Sequence, residues 1–259
     1  MDAVPLDDRG LLLADGLFET LLWRDGQLVL AGGHWSRMAA GTRTLGLPAP
    51  APQTLDACAA RAVRDAGLEG VRAAVRVTLT AGSGGRGLDR PASPQPRLFA
   101  SAAPSPQPIG PASLAIATPR RNEASPASRL KTLAYLDNVL ARREARAAGA
   151  DEAVMLNTRG ELACAAAANL WWIEADGLAT PAPEAGCLPG IMAAQVAAAA
   201  ADMGVEIVAA RADPAALERA EAIFLTSSLA GVRPAHLLGR PFEPHPLVER
   251  LAKAVERFT

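Results

Sequence analysis

The sequence predicts an α+β protein with two domains, a small N-terminal domain at residues 1–108 and a larger C-terminal domain at residues 109–259. The chain has 259 residues, a length that fits either one large domain or two small ones. Half of its residues are hydrophobic, so it can bury a sizeable core and is not disordered. A stretch with four prolines, Ala102 to Pro111, disfavours regular structure and is where we expect the domains to be joined.

The N-terminal domain is predicted to contain an α+β unit of four strands and two helices. A β-hairpin comes first, because the Asp25-Gly26 pair is typical of a two-residue hairpin turn. Gly46 and Gly67 are each typical of the residue that follows a helix. The predicted elements are strands 16–23 and 28–30, helices 34–45 and 54–66, and strands 71–80 and 97–102.

The C-terminal domain is predicted to combine a mixed sheet with two helices, and the sequence contains no internal repeat. The predicted strands are 113–118, 152–156, 169–174, 205–209 and 222–225, and the predicted helices are 132–148 and 190–203.

Charge and cysteine content exclude several classes of function. Lys and Arg number 26 and Asp and Glu number 27, so no net field attracts nucleic acid or an anionic membrane. Acidic residues occupy the N-terminus, and no apolar run approaches the ~18 residues of a membrane span. We therefore expect a soluble cytoplasmic protein with reduced thiols. No metal-ligand spacing occurs among its cysteines and histidines: Cys58, Cys164, Cys187, His34, His236 and His245.

Lysine is rare in this chain, because every basic residue except Lys131 and Lys253 is arginine. Arginine stays protonated, whereas a desolvated lysine can lose its proton and attack a carbonyl. In the predicted helix, Tyr135 and Asn138 follow Lys131 at i+4 and i+7 and share its face. The sequence therefore predicts a partly buried amine at Lys131, although a solvated lysine beside an ordinary core tyrosine is the alternative.

Two segments of the C-terminal domain are typical of anion sites. Pro189-Gly190 precedes an alanine-rich helix, where unpaired backbone N–H groups and the helix dipole favour a phosphate. The second segment, Thr226-Ser-Ser228, follows an apolar strand. An ordinary capped helix accounts for the first segment equally well when it is taken alone.

Together these segments resemble the pyridoxal-phosphate enzymes of aminotransferase class IV, also called fold type IV. The resemblance covers nearly the whole chain, with the motifs in family order. The matching motifs are Asp8-Arg-Gly10, Ala14-Asp-Gly-Leu-Phe-Glu-Thr20, His34-Trp-Ser-Arg37, Arg129-Leu-Lys-Thr-Leu-Ala-Tyr-Leu-Asp-Asn138, Gly149-Ala-Asp-Glu152, Ala168-Asn-Leu-Trp171, Thr180-Pro181, Leu188-Pro-Gly-Ile191, Phe224-Leu-Thr-Ser-Ser228 and Pro234.

The resemblance implies a role for each matching position. Lys131 would bind pyridoxal 5'-phosphate covalently and transfer the proton, and the planar guanidinium of Arg37 would hold the phosphate. It also implies a homodimer whose two domains close around the cofactor and a small-molecule amino substrate. The remaining cofactor-binding positions are Tyr135, Cys164, Asn169, Gly190, Ile191, Met192, Ser227 and Ser228.

Two positions depart from the family pattern. Cys164 stands five residues before Asn169, where the family has the glutamate that pairs with the pyridine nitrogen of the cofactor, and Ala193 replaces a frequent arginine. A neutral thiol is a poor substitute for that carboxylate, so the cofactor becomes a weaker electron sink. Glu161 lies at an odd offset from Cys164, which on a strand directs it to the opposite face. The chain is then a modified active enzyme, an enzyme with a narrower reaction, or a catalytically silent cofactor-binding protein.

Within the family, the closer resemblance is to aminodeoxychorismate lyase. The segment Gly82 to Gly87 is similar to the glycine-rich segment of that branch, although Leu88 replaces a common aromatic residue. This resemblance makes Arg86 and Leu229 the candidate substrate-binding residues. The N-terminal motifs are equally typical of D-amino-acid and branched-chain aminotransferases, and the substrate and its stereochemistry stay open. Arginines that could bind a substrate carboxylate are Arg76, Arg86, Arg120 and Arg121.

Overall fold

The computed structural model describes residues 4–174 and 177–259. Residues 1–3, part of the acidic N-terminal segment considered above, lie outside this description. The described residues up to Pro106 form one compact unit together with Leu130–Ala134, and the second unit comprises Gln107–Arg129 and Tyr135–Thr259. The division into domains after residue 108 stays a prediction. What the structure adds is that the five residues around Lys131 belong to the first unit.

The first unit is a four-stranded antiparallel sheet in the order β2-β1-β3-β4, with helices packed on one face. Strand β1 alternates, so that Leu17 and Leu21 enter the core beneath the helices together with Val75 and Val77 from the next strand. The elements are α1 Arg9–Leu13, β1 Gly16–Arg24, β2 Gln27–Leu28, α2 Ala31–Leu45, α3 Pro52–Asp65, β3 Ala73–Thr80 and β4 Arg97–Pro104.

The predicted hairpin is confirmed, since β1 and β2 pair across the Asp25-Gly26 turn. Strand β4 extends to Pro104, into the stretch predicted to be irregular. Because β4 is an edge strand, a proline at its end leaves no inner ladder bond unmade. Helix α1 was not predicted; it starts at Arg9 because the Asp8 carboxylate caps it by accepting a hydrogen bond from the Gly10 N–H at 2.8 Å.

The second unit is built on an eight-stranded mixed sheet in the order β10-β9-β8-β11-β12-β5-β6-β7. Apolar side chains on one face, among them Trp172, Leu170 and Leu225, form its larger core cluster. The strands are β5 Ala112–Arg121, β6 Glu152–Asn157, β7 Leu162–Ala165, β8 Asn169–Glu174, β9 Gly177–Pro181, β10 Ile207–Ala210, β11 Ala222–Ser227 and β12 Gly231–Leu237. The helices are α4 Leu136–Ala147, α5 Ile191–Asp202, α6 Ala215–Arg219 and α7 Pro246–Val255.

The start of the helix predicted at 132–148 is wrong, because α4 begins only at Leu136. The backbone of Lys131 instead pairs with strand β1: the Phe18 N–H donates to the Lys131 carbonyl at 2.9 Å, and the Leu133 N–H donates to the Gly16 carbonyl at 3.1 Å. These non-local bonds satisfy groups that a helix would otherwise pair internally. Three strands and two helices of the second unit were also missed: β7, β9, β12, α6 and α7.

The longest helix in the described residues is α2, with 15 residues. Across the same residues, no helix combines the length and the apolar character that crossing a bilayer requires.

Candidate active site

Lys131 lies at the edge of the first unit, where its segment runs alongside β1. A bridge between Leu17 and Thr132 fixes this register. The half-buried Lys131 side chain places its Nζ atom 4.5 Å from the centroid of the Phe18 ring. On the same ring, the Arg76 Cζ atom lies 3.5 Å from the centroid. An aromatic ring thus contacts the Lys131 side chain through a cation–π interaction.

Arg37 is held on helix α2 by a buried glutamate on β1. Its Nε atom donates to Glu19 Oε1 at 2.8 Å, and its Nη2 atom donates to Glu19 Oε2 at 2.6 Å. His34, one turn before Arg37, lies with its Nδ1 atom 2.7 Å from Glu19 Oε2. Because the Glu19 side chain is only 1% exposed, these partners replace the water that a carboxylate otherwise needs. The bidentate pair fixes the plane of the guanidinium.

The charges of this group follow from its surroundings. Burial alone would raise the pKa of Glu19, but the hydrogen bonds from Arg37 and His34 outweigh burial and hold that pKa below its usual value. Burial lowers the pKa of His34, and the positive charges of Arg37 and Lys131 act in the same direction against the attraction of Glu19. At neutral pH we therefore assign a carboxylate, a guanidinium and a neutral imidazole that donates Nδ1–H to Glu19.

In the second unit, the start of helix α5 forms a cradle of backbone donors. Gly190 is its N-cap and makes no side-chain capping bond, so the first N–H groups of the helix, at Ile191 and Met192, point outward. The Asn169 amide donates to the Leu188 carbonyl at 2.8 Å. A Cβ atom at position 190 would lie 1.9 Å from Asn169 Oδ1, so only glycine fits there. Such a helix start is suited to an anion.

The register of the sheet brings the serine segment to the same place. Asn169 at the start of β8 pairs with Thr226 near the end of β11. Thr226 is buried and accepts a hydrogen bond from Trp171 Nε1 at 3.0 Å, while Ser227 Oγ accepts one from the Ala230 N–H at 3.2 Å. Helix α5 packs against β11. The connection from β11 to β12 contains two further predicted site residues, Ser228 and Leu229.

Cys164 lies on β7 in a cluster composed mainly of alanines, among them Ala141, together with Met155 and Cys187. Burial raises the pKa of the Cys164 thiol to about 11, so the thiol is neutral at physiological pH. The nearby guanidinium of Arg121 opposes this rise only in part.

Arg121 has neutral partners. It donates to the Asn138 Oδ1 atom at 3.4 Å and to the Gly186 carbonyl at 3.3 Å. No carboxylate of the described ranges forms an ion pair with it. The Arg121 guanidinium therefore lies near the Cys164 thiol, where a glutamate would have given it a negatively charged partner.

Glu161 does not take the place of the missing carboxylate. It precedes β7, and its oxygens accept hydrogen bonds from Asn157 at 2.7 Å, Arg159 at 3.0 Å and Arg211 at 2.9 Å. The bonds from Asn157 and Arg159 lower its pKa to about 2. The carboxylate is therefore committed to this surface network.

Two other predicted site residues, Tyr135 and Arg86, belong to none of the groups described above. Tyr135 is the half-buried N-cap of α4 and does not share a helical face with Lys131, because Lys131 is not in a helix. Arg86 is exposed in a turn in which the Asp89 N–H donates to the Arg86 carbonyl at 3.1 Å.

The sequence analysis assigned no role in the site to three residues of the first unit that contact Lys131 or Arg37 directly or through Glu19: Phe18, Glu19 and His34. Two-residue alternation along β1 places Glu19 on the same face as Leu17 and Leu21, so a charged residue among core positions was a signal that it needs a buried partner.

Each unit, taken by itself, contains groups that suit part of a pyridoxal phosphate. The uncapped helix start and the hydroxyls suit its phosphate, and Lys131 is an amine that could condense with its aldehyde. The neutral thiol of Cys164 gives no ion pair for a pyridinium nitrogen.

Comparison with known proteins identifies the same family as the sequence motifs. The chain matches the family model for amino-transferase class IV over residues 16–238. It is 28% identical to a Methanocaldococcus jannaschii protein named as a branched-chain-amino-acid aminotransferase, over 98% of this chain and 90% of that one. It is 26% identical to the aminodeoxychorismate lyase of Vibrio harveyi, over 92% of this chain and 88% of the lyase. A solved structure from Legionella pneumophila, named as a 4-amino-4-deoxychorismate lyase, matches with a TM-score of 0.91 at 28% identity, over 100% of this chain and 96% of that one.

These relatives have names of both kinds, lyase and aminotransferase, at nearly equal identity and coverage. They therefore fix the family and not the reaction. The mixed helix and sheet architecture described above is that of fold type IV. Because the family model matches most of its length, the chain belongs to the class IV amino-transferase family and is a pyridoxal-phosphate-dependent enzyme.

Proposed function

We propose that this protein is an aminodeoxychorismate lyase, which converts 4-amino-4-deoxychorismate to 4-aminobenzoate and pyruvate. The observation that carries the proposal is the neutral, buried thiol of Cys164 where the family has a carboxylate. The similarity of residues 82–87 to the glycine-rich segment of lyases supports it, as does the lyase name among full-length relatives.

Bound pyridoxal phosphate supplies an aldehyde that condenses with amines and a ring that withdraws electrons from the attached carbon. Lys131 is the residue that would bond to the aldehyde and then move a proton through its Nζ atom. Arg37, whose Nε and Nη2 atoms donate to Glu19, would bind the phosphate through the remaining N–H groups of its guanidinium. Further phosphate contacts would come from the N–H groups at the start of α5, next to Asn169, and from Ser227 and Ser228. Asn169 and Tyr135 are the remaining residues proposed to contact the cofactor.

The lyase reaction needs less electron withdrawal than transamination. Lys131 would take the proton from ring carbon C4, the bond to the enolpyruvyl oxygen would break, and a proton would be delivered to the departing three-carbon unit as it becomes pyruvate. Loss of that unit makes the ring aromatic, which drives the elimination. A weak electron sink beside Cys164 therefore suffices.

An amino-acid aminotransferase, of the D-amino-acid or branched-chain type, is the second candidate. It is favoured by the full-length similarity to the Methanocaldococcus jannaschii protein. In that case Lys131 would take and return the proton of the substrate α-carbon through its Nζ atom, and a keto acid would be needed to complete the cycle.

The two reactions differ in what they require. Purified protein loaded with pyridoxal phosphate and given 4-amino-4-deoxychorismate should form fluorescent 4-aminobenzoate without any keto acid. The Lys131→Ala variant should form none, and Lys253→Ala, which changes the other lysine of the chain, should match wild type. If 4-aminobenzoate is absent but amino groups pass to a keto acid, the lyase proposal fails and the aminotransferase stands.

The catalytically silent protein left open by the sequence is disfavoured by the full-length similarity to enzymes of both kinds. The same assay tests this, because a silent protein would show neither reaction and Cys164→Glu would restore none. As a further part of the proposal, we expect the protein to act in the cytoplasm as a homodimer. Sedimentation of the purified chain would test the homodimer, and fractionation of cells that express it would test the location.

A further inference from the structure

The segment of residues 82–89, here called the glycine loop, has little internal pairing beyond the turn that joins Arg86 and Asp89. It follows β3 and contains four glycines with positive φ, Gly82, Gly84, Gly85 and Gly87. It belongs to no helix or strand of the unit. Because glycine has the largest backbone freedom of any residue, a loop of this composition stays ordered only when outside groups bind it.

Backbone pairing with Asp8 and the Thr80 hydroxyl hold the start of the loop, and the Arg9 side chain is the outside group that binds the rest of it. This side chain is only 6% exposed, and it donates to four carbonyl oxygens of the glycine loop. Nη2 lies 2.8 Å from the Leu88 carbonyl, and Nη1 lies 3.0 Å from that of Asp89, with longer contacts of 3.4 and 3.5 Å to Gly87 and Gly84. Only the planar, five-donor guanidinium can reach so many acceptors at once.

A carboxylate completes the arrangement. Arg9 Nε donates to Asp15 Oδ2 at 3.0 Å, and Arg90, directly after the loop, donates to the same oxygen from its own Nε at 2.8 Å. The Asp15 carboxylate thus links Arg9, which binds the loop, to Arg90, which directly follows the loop. The fit is close: a Cβ atom at Gly85 would lie 2.1 Å from the Asp89 carbonyl and 3.0 Å from Arg9 Nη1.

The same carboxylate ties the loop to the Lys131 segment. Asp15 immediately precedes Gly16, which pairs with Thr80 at the end of β3 and accepts a hydrogen bond from the Leu133 N–H. The glycine loop leaves β3 two residues after Thr80. It therefore starts next to the backbone that carries Lys131.

We infer that Arg9 is a positioning residue, which holds the glycine loop in one conformation beside Lys131 so that its exposed Arg86 turn meets the carboxylate end of the substrate. The inference rests on the proposed function for the identity of that substrate. Arg9 itself touches neither substrate nor cofactor in this account. Its effect is on the loop, and through the loop on substrate binding.

The variant Arg9→Lys keeps the charge but loses the fork, and the exposed Arg64→Lys on α3 is its matched control. Amide hydrogen exchange of Asp89, whose N–H is bonded within the loop turn, reports the loop without any substrate. We expect exchange at Asp89 to accelerate at least about tenfold in Arg9→Lys. We also expect KM for 4-amino-4-deoxychorismate to rise about tenfold, with kcat and pyridoxal-phosphate affinity within about twofold of wild type. Arg64→Lys should change none of these.

Unchanged exchange at Asp89 in Arg9→Lys, or a loss of kcat at constant KM, would overturn the inference. Should Arg9→Lys fail to fold, Asp15→Asn removes the shared carboxylate and must loosen the same amide. Exchange of the wild-type Asp89 amide at the rate of an unstructured peptide would also overturn it. If wild type forms no 4-aminobenzoate but Arg9→Lys still loosens the loop, the proposed function fails while the positioning role stands.

Discussion

The buried pair of Glu19 and Arg37 allows a quantitative prediction for the variant Glu19→Gln. The substitution keeps the shape of the side chain and removes its charge, leaving the Arg37 guanidinium, only 12% exposed, without its counter-charge. Breaking a buried pair by removing one partner costs about 3–5 kcal/mol. Since each kcal/mol lowers Tm by about 2–4 °C in a chain of this size, the variant should melt roughly 6–20 °C below wild type.

The assay is calorimetry of the cofactor-free protein, followed by titration with pyridoxal phosphate. The affinity for pyridoxal phosphate should also fall, about tenfold, because Arg37 is no longer held in its bidentate geometry. Glu69→Gln is the matched control, since Glu69 is exposed in the same unit. A Glu19→Gln protein that melts and binds like Glu69→Gln would refute the assignment of Glu19 as the residue that holds Arg37.

Three further predictions follow from the geometry. Burial lowers the pKa of His34, so below about pH 6.5 the unfolded chain takes up a proton at this residue while the folded chain does not. The free energy of unfolding should therefore decrease as the pH drops through this range, and it should decrease less in His34→Gln. Equal pH profiles of the two proteins would contradict this. Gly190→Ala, whose Cβ atom would clash with Asn169, should weaken pyridoxal-phosphate binding at least about tenfold in a titration, whereas Gly32→Ala, in open space, should not. Cys164 is buried with a raised pKa, so folded Cys164→Ser should titrate with the same number of reactive thiols as wild type, and the loss of one thiol would show that Cys164 is accessible.

Local signals in the sequence predicted the elements that short-range chemistry decides. The Asp25-Gly26 turn closes the hairpin, and helix α2 ends before Gly46, which adopts positive φ as a C-terminal cap. In both cases the residue that fixes the structure lies within a few positions of the element it ends.

The path of the chain around Lys131 could not be predicted from the same signals. Lys131 lies only a few residues before helix α4, but its carbonyl accepts a hydrogen bond from the Phe18 N–H, and the Leu133 N–H donates to the Gly16 carbonyl, in each case more than a hundred positions earlier in the chain. Pairing with a distant strand edge overrides local propensity. For that reason Lys131 and Tyr135 do not share the helical face that the sequence predicted.

The position of Cys164 was predicted from spacing, but its surroundings were not. Only the structure shows that Arg121 lies near the thiol and that Glu161 is occupied by Asn157, Arg159 and Arg211. These contacts join residues from separate strands and loops, and no periodicity in the sequence marks them.

The most direct test of this account asks which amine binds the cofactor. Borohydride reduction of the protein loaded with pyridoxal phosphate, followed by peptide mapping, fixes the cofactor to the lysine with which it has condensed. The chain has two lysines, Lys131 over the Phe18 ring and the exposed Lys253 on α7, so the second is an internal control. We expect the cofactor on the peptide that contains Lys131 and none on that of Lys253. Equal labelling of both lysines, or no label on Lys131, would contradict the account.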